Sequence, residues 1–105
     1  MGRLITEARV VAALDRFDLA LVLWAVRSPS RARVLWVLLD GPATAKEIIR
    51  RTGIQQVSAH RALKRLMGVR LVVSLSEIQG VTGPRARVYE IAPGGKRNDD
   101  MVSVS

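Results

Sequence analysis

Residues 44–66, TAKEIIRRTGIQQVSAHRALKRL, decide the fold. Thr44 and Glu47 stand at the spacing of a capping box, where a hydroxyl and a carboxylate satisfy the free amides of a starting helix. Behind them Ala45, Ile48, Ile49 and Thr52 recur at i, i+3, i+4 and i+7, one face of a helix. Gly53 ends that helix, because glycine enters the left-handed region without steric cost. Ile54 anchors the turn. A second helix begins near Gln55 and ends near Gly68, with Ala59, Ala62, Leu63 and Leu66 on one stripe. Two helices joined by Gly-Ile alone cross steeply and share a core, which is a helix-turn-helix. The shared core is expected at Ile48, Ile54, Ala59, Leu63 and Leu66.

The outer face of the second helix raises the functional question. Val57, Arg61 and Lys64 lie opposite the stripe, flanked by Ser58, His60 and Arg65, and no acid occurs between Gln55 and Arg70. A merely solvated face tends to mix Glu with Lys. Residues 43–70 hold Lys46, Arg50, Arg51, Arg61, Lys64, Arg65 and Arg70 against Glu47 alone, which is +6 of the chain's +8. A basic block this local is the electrostatic footprint of a polyanion partner. All 17 cations except Lys46, Lys64 and Lys96 are arginines, whose planar fork suits phosphate and guanine edges. GC-rich coding favours the same excess.

N-terminal to this pair, residues 3–26 are helical in pattern, as one helix or as two meeting near Asp15. Asp15 and Asp18 resemble a weak capping box. Their second half, LALVLWAV, is apolar all round and needs burial on more than one side. Ser28-Pro29 marks a boundary, since proline suits the first turn of a new helix. That helix runs over about residues 30–39, with Ala32, Leu35, Leu38 and Leu39 as its stripe, and Asp40-Gly41-Pro42 stops it. C-terminal to the pair the period changes to two. Leu71, Val73 and Leu75 alternate with Val72 and Ser74, SEIQGVTGP over 76–84 reads as a loop, and RARVYEI over 85–91 alternates again. The fold class is therefore mainly α with a small two-stranded hairpin, an α+β arrangement with an extra N-terminal helix.

At 105 residues the chain is the size of one domain, and its 49% apolar content makes it globular. Aromatics are few (Phe17, Trp24, Trp36 and Tyr89), so Leu, Val, Ile and Ala build the core. Without cysteine there is no disulfide, thiol catalysis or thiolate-bound metal. Asp15, Arg16 and Asp18 interrupt the early apolar stretch, so no signal peptide is expected. The longest apolar run, Leu19–Val26, is far short of a membrane span. A cytoplasmic, nucleoid-associated location is expected. No paired carboxylates, nucleophile–base pair, phosphate loop or metal-ligand spacing appears, so neither an enzyme nor a cofactor is expected.

The order helix, helix, helix, hairpin is that of a winged helix-turn-helix. On SPSRARVLWVLLDGPATAKEI, TGIQQVSAHRALKRL, RLVV and VYEI, residues 28–91 resemble the winged-helix repressors of the ArsR and MarR type and their archaeal relatives. The resemblance implies a recognition helix at about 55–67 in the DNA major groove and a wing at about 71–91 reaching the minor groove or backbone. It also implies a dimer, formed through terminal helices. It lacks one common feature: these families often place glycine before the first wing strand, where this chain has Arg70. A metal sensor is disfavoured, because there is one histidine and no cysteine.

On that reading, Gln55, Gln56, Val57, Ser58, His60 and Arg61 are candidates for reading bases. Gln pairs with adenine, Arg with guanine, and Val57 suits a thymine methyl. His60 alone is no metal site. Thr44, Lys46, Lys64, Arg65 and Arg70 are phosphate candidates, and Arg85 and Arg87 rim the wing. Leu19, Leu21, Val22, Leu23 and Trp24 are dimer candidates within a segment 1–27, ahead of a DNA-binding domain at 28–93 and a tail at 94–105. The expected function is double-stranded DNA binding by a dimeric transcriptional regulator. The alternatives are a sequence-tolerant architectural protein and a winged-helix protein-interaction module.

Overall fold

The first helical stretch is two helices that meet around Asp15, and Asp18, not Asp15, caps the second. In the computed structural model, which describes residues 3–75 and 87–93, α1 spans Arg3–Ala13 and α2 spans Leu19–Val26. The Asp18 carboxylate accepts from the Ala20 amide at 3.2 Å and caps α2, whereas Asp15 lies exposed in the preceding turn. Leu14 and Phe17 pin this turn by burying their side chains in the core. Arg16 stacks on Phe17 and donates to the Ala92 carbonyl at 3.4 Å, tying the turn to the far end of the chain.

Helix α3, Pro29–Leu38, follows the expected boundary: Ser28 accepts from the Arg31 amide at 3.3 Å, and Pro29 occupies the first turn. It is the central element, packed against α1, α2, α4 and α5. Ala32, Val34, Leu35, Val37 and Leu38 are buried, a wider face than a single stripe. At its C-terminal end Asp40 sits between Arg51, at 2.6 Å, and Arg9, at 3.8 Å. Arg9 also lies over the Trp36 ring, so α1, α3 and α4 meet at one small charged cluster.

The helix-turn-helix forms as the spacing predicts. Helix α4 spans Ala45–Thr52 with Thr44 accepting from the Glu47 amide at 3.1 Å, and α5 spans Gln56–Gly68. Gly53 takes φ 78°, the left-handed conformation that ends α4. The Thr52 hydroxyl donates back to the Ile48 carbonyl at 2.7 Å and accepts from the Ile54 amide at 3.3 Å, which locks the turn from both sides. Ile48, Ala59, Ala62, Leu63 and Leu66 are buried, and Ile54 is half-buried against them.

Helix α5 ends in a Schellman motif. The Leu71 amide bonds to the Leu66 carbonyl and the Arg70 amide to the Met67 carbonyl, each at 3.0 Å. The residue between helix and strand must then be left-handed, and Arg70 has φ 63°. It stands where glycine is the usual occupant. Replacing Arg70 with Gly should therefore raise stability by about 1 kcal/mol, since a residue with a Cβ is strained there. Urea unfolding checks this, and an unchanged or lower midpoint would contradict it.

The sheet is larger than expected. Strand β1 is Ala43–Thr44, β2 is Val72–Ser74 and β3 is Val88–Ile91, in the antiparallel order β1-β3-β2. Ala43 pairs with Tyr89 and Thr44 with Val88, while Val72 pairs with Ile91 and Ser74 with Tyr89. The expected two-stranded hairpin thus gains a third strand from the two residues before α4. Leu71, Val72 and Tyr89 face the core, while Val73 and Leu75 are half-buried. The loop expected at 76–84, Arg85 and the tail at 94–105 lie outside the described residues. The fold is α+β and winged-helix, with two helices ahead of the helix-turn-helix unit and its leading helix α3.

Candidate nucleic-acid interface

Helix α5 divides cleanly into two faces. Its inner face is the buried Ala59, Ala62, Leu63 and Leu66. Its outer face exposes Gln56, Val57, His60, Arg61, Lys64 and Arg65, with Val57 62% exposed. Gln55 is the N-cap, yet its side chain makes no capping hydrogen bond, so its amide is not spent on the helix. Among the described residues, none of these polar side chains is held by an intramolecular hydrogen bond or ion pair. Desolvating such groups without compensation is costly, so a partner that covers this face must itself supply hydrogen-bond acceptors and negative charge.

The structure narrows the basic block. Arg51 is committed to Asp40, and Arg50 lies 3.8 Å from Glu47. The unengaged cations are Lys46 in the first turn of α4, Arg61, Lys64 and Arg65 on α5, and Arg70 beyond it. Thr44 caps α4 with its hydroxyl, which leaves its proton for a further acceptor. Arg87 is exposed at the start of β3.

The two flanks of the outer face differ. Ser58, Arg61 and Arg65, spaced i, i+3 and i+7, line a cleft against Ser28, Ser30 and Arg31 at the start of α3. Val57, His60 and Lys64 are exposed and do not line it. Sequence reasoning missed Ser28, Ser30 and Arg31, because Ser28-Pro29 reads fully as a helix boundary. The clue was a basic residue in the first turn of α3, where helix polarity favours an acid.

The N-terminal candidates separate as well. Leu19 is 60% and Leu23 47% exposed, while Leu21 and Trp24 are half-buried. Val22 is 1% exposed and belongs to the chain's own core, so it is removed from the dimer candidates. An all-apolar helix turns some residues inward whatever its partner, and periodicity alone does not say which.

Residues 27–78 match the family model described as MarR family. That stretch, about half of the chain, is similar to the MarR family. The match begins beside the α3 cap and takes in the helix-turn-helix and strand β2. MarR-family proteins are DNA-binding transcription regulators, not enzymes, and they typically dimerise. No curated protein matches the chain. Among the described residues, no group of His, Asp or Glu side chains could hold a metal ion, and no helix is long and apolar enough to cross a membrane.

Proposed function

We propose that this chain is a small homodimeric transcriptional regulator, of the archaeal-type pattern that residues 28–91 resemble, which binds double-stranded DNA in the cytoplasm. One observation carries the reading. The outer face of α5 is exposed, cationic, free of acids and unspent on intramolecular bonds, within a stretch that matches the MarR-family model. Helix α5 enters the major groove, where Gln55, Gln56, Val57, His60 and Arg61 meet base edges and Ser58 serves a base or a phosphate. Lys64, Arg65, Arg70, Lys46 and the Thr44 hydroxyl take phosphates. Arg87, with Arg85 in the wing, follows the backbone or the minor groove. Leu19 and Leu23, rimmed by Leu21 and Trp24, form an apolar surface on α2 that a second copy covers. On this reading residues 1–27 dimerise and residues 28–93 bind DNA.

The decisive experiment is selection of bound duplexes from a random pool. The expected product is a site with two symmetric halves about one helical turn apart, since a two-fold dimer presents two α5 helices. Retention should fall steeply as salt rises. Uniform enrichment of all sequences would make the protein a sequence-tolerant coat. Failure to retain any duplex at low salt would refute the DNA-binding reading and favour a protein-interaction module.

A further inference from the structure

The cleft between α3 and α5 has a composition that an ordinary surface groove lacks. Its volume is about 290 Å³, and its walls carry Arg31, Arg61, Arg65, Ser28, Ser30 and Ser58. Three arginines and three serines line it with no acidic residue among them. Elsewhere in the described structure arginines near acids are paired, as Arg51 is with Asp40. Here like charges crowd together instead. Burial holds the Arg31 guanidinium below the ordinary arginine value, and the positive charges of Arg65 and Arg27 push it the same way.

Arg31 is also held in place before any ligand arrives. One terminal nitrogen donates to the Trp24 carbonyl at 2.6 Å, and the guanidinium lies 3.9 Å from the Trp24 ring centre. Its Nε is buried and has no hydrogen-bond partner. A buried donor left unmade costs free energy. The start of α3 adds the positive end of a helix, although the Ser28 hydroxyl already accepts from the Arg31 amide. The cleft thus combines arginines, one of them fixed on Trp24, with serines and no acid.

We propose that this cleft binds a phosphate-class oxyanion, held by Arg31, Arg61 and Arg65 with the serine hydroxyls. A tetrahedral anion spreads its oxygens in several directions, which suits three forks and three hydroxyls better than the two coplanar oxygens of a carboxylate do. The same chemistry has two sources: a phosphodiester of the bound duplex, or a free phosphate-bearing small molecule. The first source deepens the DNA-binding reading and rests on it. It moves Arg61 from the guanine-reading candidates to the backbone and makes α3 part of the DNA contact. The second source would compete with the duplex for the same two arginines.

The test uses the full chain and the double variant Arg61→Gln/Arg65→Gln, both exposed positions, with Arg31 kept because it packs on Trp24. Two readouts are taken: the salt slope of duplex affinity, and amide and arginine Nε–H NMR shifts of residues 28–31 and 58–65 on adding inorganic phosphate. Chloride at matched ionic strength is the control. If the duplex fills the cleft, losing about two phosphate contacts lowers the salt slope by about 1.8. Between 50 and 200 mM salt the variant then loses about tenfold less affinity than the parent. If a free anion fills it, phosphate shifts those signals saturably in the parent and not in the variant, with the slope unchanged. A parent that binds duplex, a variant with the parental slope and no saturable phosphate shift would overturn the proposal and withdraw Arg65 from the phosphate contacts, while leaving duplex binding by the rest of α5 intact. If the parent binds no duplex, that reading fails separately; a saturable phosphate shift still supports the cleft, and its absence refutes it.

Discussion

Reversing one charge on the outer face of α5, Lys64→Glu, should weaken duplex binding about a hundredfold at low salt. Lys64 is exposed, unengaged by any acid among the described residues, and outside the cleft between α3 and α5. Placing a carboxylate against phosphates removes an attraction and adds a repulsion. Like-charge juxtaposition in an interface costs several kcal/mol, so about 1.4 kcal/mol per protomer is a low figure and corresponds to about tenfold. A two-fold dimer presents the change twice, hence about a hundredfold. Because the side chain is solvated, stability should move by no more than about 0.5 kcal/mol. Electrophoretic mobility shift on a selected duplex reads the first effect and urea unfolding the second. Duplex affinity within a factor of three of the parent would show that α5 does not face the phosphates.

The neighbouring residue predicts the opposite pattern. Leu63→Ala should destabilise the protein by about 2–5 kcal/mol, because it removes a buried side chain and leaves a cavity. Leu63 is 1% exposed and belongs to the core that joins α5 to α3 and the sheet. For a domain whose whole stability is about 5–15 kcal/mol, that loss is a large fraction. DNA affinity should fall only by the fraction unfolded, since the outer face is untouched. The measurement is urea unfolding at one fixed protomer concentration, because a dimer's stability depends on concentration, with duplex titration under conditions where the variant stays folded. A loss below about 1 kcal/mol would contradict the packing of α5 described here. Adjacent residues on one helix thus give separable readouts, one on binding and one on stability.

Much of this organisation is written locally and is legible without coordinates. The Thr44 cap, the left-handed Gly53 and the two apolar stripes are each set by residues within one or two helical turns. Periodicity gives the amphipathic α4 and α5 an inner and an outer face by itself, so the exposure of Gln56, His60 and Lys64 follows from the burial of Leu63 and Leu66. The basic block and the missing acids on α5 are also properties of the chain alone. They point to a polyanion by themselves.

Tertiary structure decided what depends on neighbours distant along the chain. Strand β1 has only two residues and exists because Ala43 and Thr44 meet Val88 and Tyr89, a pairing that no local period announces. That Asp18 and not Asp15 caps α2 depends on how Leu14 and Phe17 reach the core, which an all-apolar helix does not encode. Val22 turned inward and Leu19 outward for the same reason. Charge counting could not separate Arg51, committed to Asp40, from Arg61 and Arg65. Nor could helical spacing say that Ser58, Arg61 and Arg65 would look across at Ser28, Ser30 and Arg31. The sequence alone determined which side of α5 is outside. The packing of α3 against α5 determined which part of that side becomes a cleft, because a helix carries its own periodicity but not the position of its neighbour.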